Sequence, residues 1–183
     1  MNLEDKDERK LIFVGGIHGV GKSTICLKIV DSIKEVYGCT ASDIIKGENN
    51  WQHSGKSVED VTVNQNFLIN GLSRIRAKNI LLDGHFVLID KSQTIVPVPF
   101  DTFKQMVPVL IIVITDKIED ILNRLVKRDN KLYDLTFLKK MQEMEIETAK
   151  RTAQQLSIPF KEINLQADNI PFKTLSSLLS KYI

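Results

Sequence analysis

Apolar positions along the chain alternate between two periods. Leu11–Val14 is an unbroken apolar run closed by Gly15-Gly16, the pattern of a strand buried on both faces. After Ser23, residues Ile25, Ile29, Ile33 and Val36 recur at helical spacing, which predicts a helix of about four turns ended by Gly38. Cys39–Ala41 is a short strand candidate. Val61, Asn64, Phe67, Leu68, Leu72 and Ile75 outline a second helix, and Ile80–Leu82 a strand that ends in Asp83-Gly84. Pro97 and Pro99 forbid a helix over Ile95–Phe100, which is read as extended. Val107–Ile114 is the strongest strand candidate. Ile118, Ile121, Leu122 and Leu125 mark a helix, as do Leu138, Met141, Thr148, Ala149, Thr152 and Leu156. Phe160–Ile163 reads as a last strand, and Leu175–Leu179 lies on a terminal helix. Strands separated by amphipathic helices predict an α/β fold, a five-stranded parallel sheet flanked by helices.

Composition narrows the class without naming an activity. The chain has 183 residues, 43% hydrophobic and 26% charged, which excludes disordered and fibrous classes and suits one domain over 1–183. Residues 1–9 are charged and read as a flexible N-terminus rather than a greasy leader. No apolar run approaches the ~18–20 residues of a membrane span. Two cysteines, Cys26 and Cys39, do not make a disulfide framework, so a cytoplasmic protein is expected. Lys and Arg number 25 against 23 Asp and Glu, a net charge of +2 that argues against membrane or extended nucleic-acid partners. No heptad pattern appears, and a homodimer is left open.

The sharpest chemical signal is Gly16-Ile17-His18-Gly19-Val20-Gly21-Lys22-Ser23, followed by Thr24. It fits G-x-x-x-x-G-K-[ST] at every required position, between a predicted strand and a predicted helix. A loop that wraps phosphates must turn its N–H groups inward, which takes backbone torsions that glycine adopts at little cost. The helix that follows aims its positive end at the same anion. Lys22 is placed to meet the β- and γ-phosphates of ATP and Ser23 to ligate Mg²⁺. His18 is read first as a loop filler.

Asp83 ends a buried strand, where open α/β sheets bind ligands, and is the candidate metal-associated carboxylate. Asp116 is the rival, but the helix expected from about Lys117 makes it an N-cap instead. His85 either contacts the acceptor or packs. Arg124 and Arg128 are four apart on one helix, at the boundary of its buried stripe, where guanidinium groups can emerge beside a phosphate site or simply meet solvent.

The phosphate loop, Leu82-Asp83-Gly84-His85-Phe86 at a strand end, and Arg124-x-x-x-Arg128 together resemble the nucleoside monophosphate kinase group of P-loop proteins. The likeness is to archaeal-type adenylate kinases and their bacterial ATP-binding relatives, over about residues 10–165. That resemblance implies transfer of the ATP γ-phosphoryl group to a nucleoside monophosphate with Mg²⁺. Carried over, Gly16, His18, Gly19, Val20, Gly21, Lys22, Ser23 and Thr24 surround the ATP phosphates, and Ser23 and Asp83 hold the metal. Arg124 would stack on adenine and Arg128 touch phosphates. Residues 39–77 would form the acceptor-binding part, with Lys46 meeting the acceptor phosphate and Gln65 reading its base, and 124–136 a short lid. The family's Arg-x-Arg-Asp lid run is here Lys131-Leu132-Tyr133-Asp134. Lysine keeps the charge without the bidentate fork and tyrosine drops it. A nucleotide-binding regulatory protein and a kinase of another hydroxyl acceptor therefore stand as alternatives. Trp51 and His53 would either stack on a base or pack.

Overall fold

The computed structural model describes residues 9–52, 61–166 and 172–183. Nearly all of the N-terminus expected to be flexible, and His53, lie outside these residues, as does the Trp51 side chain. In chain order the elements are β1 (Lys10–Gly15), α1 (Lys22–Ser32), β2 (Val36–Thr40), α2 (Ala41–Gln52), α3 (Val61–Arg74), β3 (Asn79–Asp83), β4 (Val87–Ile89), β5 (Ile95–Pro97), α4 (Phe100–Met106), β6 (Pro108–Thr115), α5 (Ile118–Asp129), α6 (Leu135–Leu156), β7 (Phe160–Asn164) and α7 (Phe172–Leu179).

Five strands form one parallel sheet in the order β2-β3-β1-β6-β7. Successive side chains of β1 point to opposite faces, as the strand period requires. Ile12 and Val14 enter a core with Cys26 and Ile29 of α1, Ile121 and Leu125 of α5, and Leu175 and Leu179 of α7. Leu11 and Phe13 enter the other, with Leu68 and Leu72 of α3, Phe103 and Met106 of α4, and Ala149 and Ala153 of α6. Burying each such Leu, Ile or Phe contributes about 1.5–3 kcal/mol. The register aligns the strand ends: Asp83 pairs with Val14 on one side and Thr40 on the other, and Gly15 lies opposite Val113. The carboxyl ends of β1, β2, β3 and β6 therefore open together at one edge of the sheet.

Several expectations are corrected. The helix after Ser23 stops at Ser32, because Ile33 turns to an extended backbone (φ −122°, ψ 93°), and Val36 and Gly38 belong to β2. Gly38 is needed for packing rather than for ending a helix: a Cβ there would stand 2.6 Å from Val30 Cγ2. Ala41 opens α2 instead of closing a strand. Only Ile95–Pro97 of the expected extended run is a strand; it pairs antiparallel with β4, and Phe100 opens α4 after Pro99. Lys117, not Asp116, is the N-cap of α5.

Candidate functional site

The phosphate loop joins β1 to α1. Gly16, Gly19 and Gly21 all have positive φ (142°, 78° and 106°), the torsions the sequence motif implied. Gly16 has a second constraint, since a Cβ would lie 2.6 Å from the Ile114 carbonyl oxygen. Ile17 and Val20 anchor the loop in the core at 0% exposure, while His18, Ser23 and Thr24 face outward. Lys22 is buried, and its ammonium donates to the carbonyls of Gly16 (2.6 Å) and Ile17 (3.3 Å) and stands 3.9 Å from Asp83 Oδ1. Burial pushes the Lys22 pKa down, against the pull of Asp83 and Glu145. The loop thus carries its own cation curled inside it, where the phosphates of a nucleotide would displace the carbonyls.

The Ser23 hydroxyl donates to Asp83 Oδ2 at 2.7 Å. Asp83 is buried at the end of β3. A hydroxyl and a carboxylate in contact are hard oxygen donors suited to Mg²⁺, which takes one or two protein oxygens and completes its shell with water and substrate phosphates. The residues present fit that ion. Among the described residues no group of three or more His, Cys, Asp or Glu is placed to hold a metal without a substrate.

Asp116, the rival, is committed elsewhere. It is buried, accepts from the Lys117 N–H (2.9 Å), and takes the Arg124 guanidinium at 2.6 Å. Arg128 is likewise engaged: its Nε and Nη2 donate to Asp129 Oδ1 and Oδ2 at 2.6 and 2.7 Å, and the Tyr133 hydroxyl donates to the same carboxylate. These two donors hold the Asp129 carboxyl well below the usual carboxylate range. The Arg124 and Arg128 side chains are about half exposed, as the boundary position predicted.

His18 and His85 face each other with ring centroids 4.3 Å apart, so the loop and the segment after Asp83 meet through two imidazoles. Desolvation and the Lys22 charge lower both pKa values from 6.5, His85 the further, and His85 Nδ1 is shut off from solvent with no hydrogen-bond partner among the described residues. Beside His18 opens a cleft of about 550 Å³, lined also by Asn64, Leu88, Asp90, Lys91 and Met141. Gln65 is buried on α3 and Lys46 is exposed on α2; neither lines this cleft.

A family model described as an AAA domain matches residues 15–142. The chain belongs to that family. Among curated proteins nothing matches. Among solved structures, the chain is similar to a putative kinase from Chloroflexus aurantiacus J-10-fl, with a TM-score of 0.61 and 13% identity over 96% of this chain and 99% of that one. The AAA-domain chain therefore shares the fold of that structure, a five-stranded parallel sheet flanked by helices.

In this AAA-domain protein the residue that sequence reasoning passed over is Glu145. It is fully buried (0% exposed), and its carboxylate accepts the N–H groups of Gly16 (2.7 Å), Phe86 (3.0 Å) and Val87 (2.8 Å). The signal was present: Glu145 falls on the buried stripe of α6, between Met141 and Thr148, where an apolar residue is the norm. Gln142, one turn earlier, donates to the Asp116 carbonyl at 3.1 Å.

Proposed function

We propose that the protein transfers the γ-phosphoryl group of ATP to a small acceptor with Mg²⁺, a nucleoside monophosphate being the acceptor class. The observation that carries this reading is the Ser23–Asp83 contact beside Lys22, which gathers a hydroxyl, a carboxylate and an ammonium at the mouth of a glycine loop. The loop N–H groups and the start of α1 bind the triphosphate, and Lys22 places positive charge where negative charge develops. When bound, Mg²⁺ would supply charge neutralisation for the transferred phosphoryl group. Ser23 and Asp83 would hold the ion. Arg124 and Arg128 on α5 are the candidate contacts to the transferred group, a role that would require their release from Asp116 and Asp129. The acceptor would occupy the cleft beside His18, walled by Asn64 of α3 and by the β4 segment, while Lys46 and Gln65, the contacts implied by the family resemblance, lie outside that cleft. The two free thiols, both pushed up to about 12 by burial, fit a reducing cytoplasm.

The test is a coupled assay with Mg-ATP and each of AMP, CMP, GMP and UMP. Turnover with one of them is expected. ATP binding with no turnover on any sinks the reading, as does a Lys22→Ala protein that transfers at the wild-type rate. One observation favours a second reading, a nucleotide-binding regulatory protein: both α5 arginines are neutralised by carboxylates of their own chain. Such a protein would bind ATP and leave all four monophosphates unchanged.

A further inference from the structure

A carboxylate fully removed from water is costly unless it is closely hydrogen-bonded. Among the described residues Glu145 has no cation in contact, though the Lys22 charge acts on it from nearby; it accepts from three backbone N–H groups. Those donors belong to two different segments. Gly16 opens the phosphate loop after β1. Phe86 and Val87 follow Asp83-Gly84-His85 after β3 and lead into β4. The rest of the wall is shaped to let α6 approach. A Cβ on Gly15 would stand 3.2 Å from Glu145 Oε1 and 2.5 Å from the Phe86 ring, so only glycine leaves room there. Gln142 reaches the end of β6 through Asp116, which in turn grips Arg124. One turn of α6 thus touches the ends of three neighbouring strands, β1 and β3 through Glu145 and β6 through Gln142.

We propose that Glu145 is a positioning residue for the nucleotide site: its buried carboxylate clamps the first glycine of the phosphate loop to the segment after Asp83 and thereby sets the Ser23–Asp83 spacing that metal binding needs. The inference rests on the reading of the loop as a Mg-nucleotide site. It is independent of the acceptor.

The geometry makes glutamine a sharp probe. It keeps the size of Glu145 but replaces one acceptor oxygen with an NH₂ group, which must then point at a backbone N–H. At least one of the three N–H groups then loses its acceptor, and the two segments are pushed apart. A merely structural role would lower stability and leave the metal dependence alone. The positioning role lowers the benefit of the metal itself.

The experiment measures ADP affinity by calorimetry with and without Mg²⁺, for wild type, Glu145→Gln and Glu145→Asp, with thermal unfolding in parallel. Wild type is expected to gain from Mg²⁺. Glu145→Gln is expected to lose at least tenfold of that gain, and Glu145→Asp, which keeps the charge with a shorter reach, to recover part of it. A folded Glu145→Gln protein whose Mg²⁺ gain stays within twofold of wild type overturns the proposal. Wild type that binds no ADP overturns the nucleotide-site reading itself. Should the variants not fold, amide exchange in wild type decides. Gly16, Phe86 and Val87 are expected to gain protection together when Mg-ADP binds, and protection of Gly16 alone overturns the clamp.

Discussion

Ser23 and Asp83, 60 positions apart in the chain, meet at 2.7 Å through a hydroxyl-to-carboxylate hydrogen bond. The contact exists because β1 and β3 are parallel neighbours with Val14 opposite Asp83, and because the glycine loop returns the chain to the same edge before α1 begins. Asp83→Asn keeps the shape and removes the charge. Nucleotide affinity without metal should change little, while Mg²⁺-dependent transfer should fall by about 10²–10³, the loss typical of one electrostatic contact to the transition state. Steady-state rates titrated with Mg²⁺ check this.

Two glycines test backbone strain against open space. At Gly19 the φ is +78° and a Cβ would meet Leu125 Cγ at 2.7 Å. Gly19→Ala should cost about 1–3 kcal/mol, with Tm falling about 2–4 °C per kcal/mol in a domain of this size. Gly47, in α2, would meet nothing within 4 Å. Gly47→Ala should be neutral or stabilise by about 0.4–1 kcal/mol. Thermal unfolding of both variants supplies the comparison.

Much of this architecture was legible in the residues, and the reasons differ by element. Leu11–Val14 and Leu110–Ile114 lie in strands buried on both faces, and such strands write themselves as unbroken apolar runs, whereas Val107, expected to open the second, is the exposed C-cap of α4. The glycine loop is legible because its torsions restrict residue choice so tightly. The β4–β5 hairpin and α4 were not, since each is short and its apolar residues follow no full period. Glu145 was missed because its partners are backbone groups of two segments that parallel pairing brings together, and no local spacing announces a contact between residues 129 apart. Asp116 was misread because its carboxylate is taken by Arg124, eight residues on, while Lys117 holds the N-cap position.

Histidine titration should show the environment of the loop. His85, buried beside Lys22, is held well below the usual 6.5, and the more exposed His18, whose ring packs on it, is lowered in the same direction. The folded state then binds fewer protons than the unfolded chain just below pH 6.5, so stability should fall as the pH drops through that window. NMR titration should give imidazole midpoints under 6.5 for both residues in the folded protein. Urea midpoints should decline on acidification, less steeply in His85→Asn.

Asp129 restrains Arg128 through two hydrogen bonds and shares its carboxylate with Tyr133. Asp129→Asn removes the charge that holds the guanidinium. Affinity for ATP should rise about two- to fivefold, the range of one exposed, solvent-screened charge contact, with ADP gaining less. Calorimetric titration with a non-hydrolysable ATP analogue checks the direction.

The connection between α5 and α6, residues 130–134, has a consequence for water. Five residues span at most about 18 Å when fully extended, too little chain to fold over a triphosphate as a flap. On the proposed reaction, shielding of the reacting phosphate would fall chiefly to the acceptor and to α5, so the protein given Mg-ATP and no acceptor is expected to release phosphate slowly.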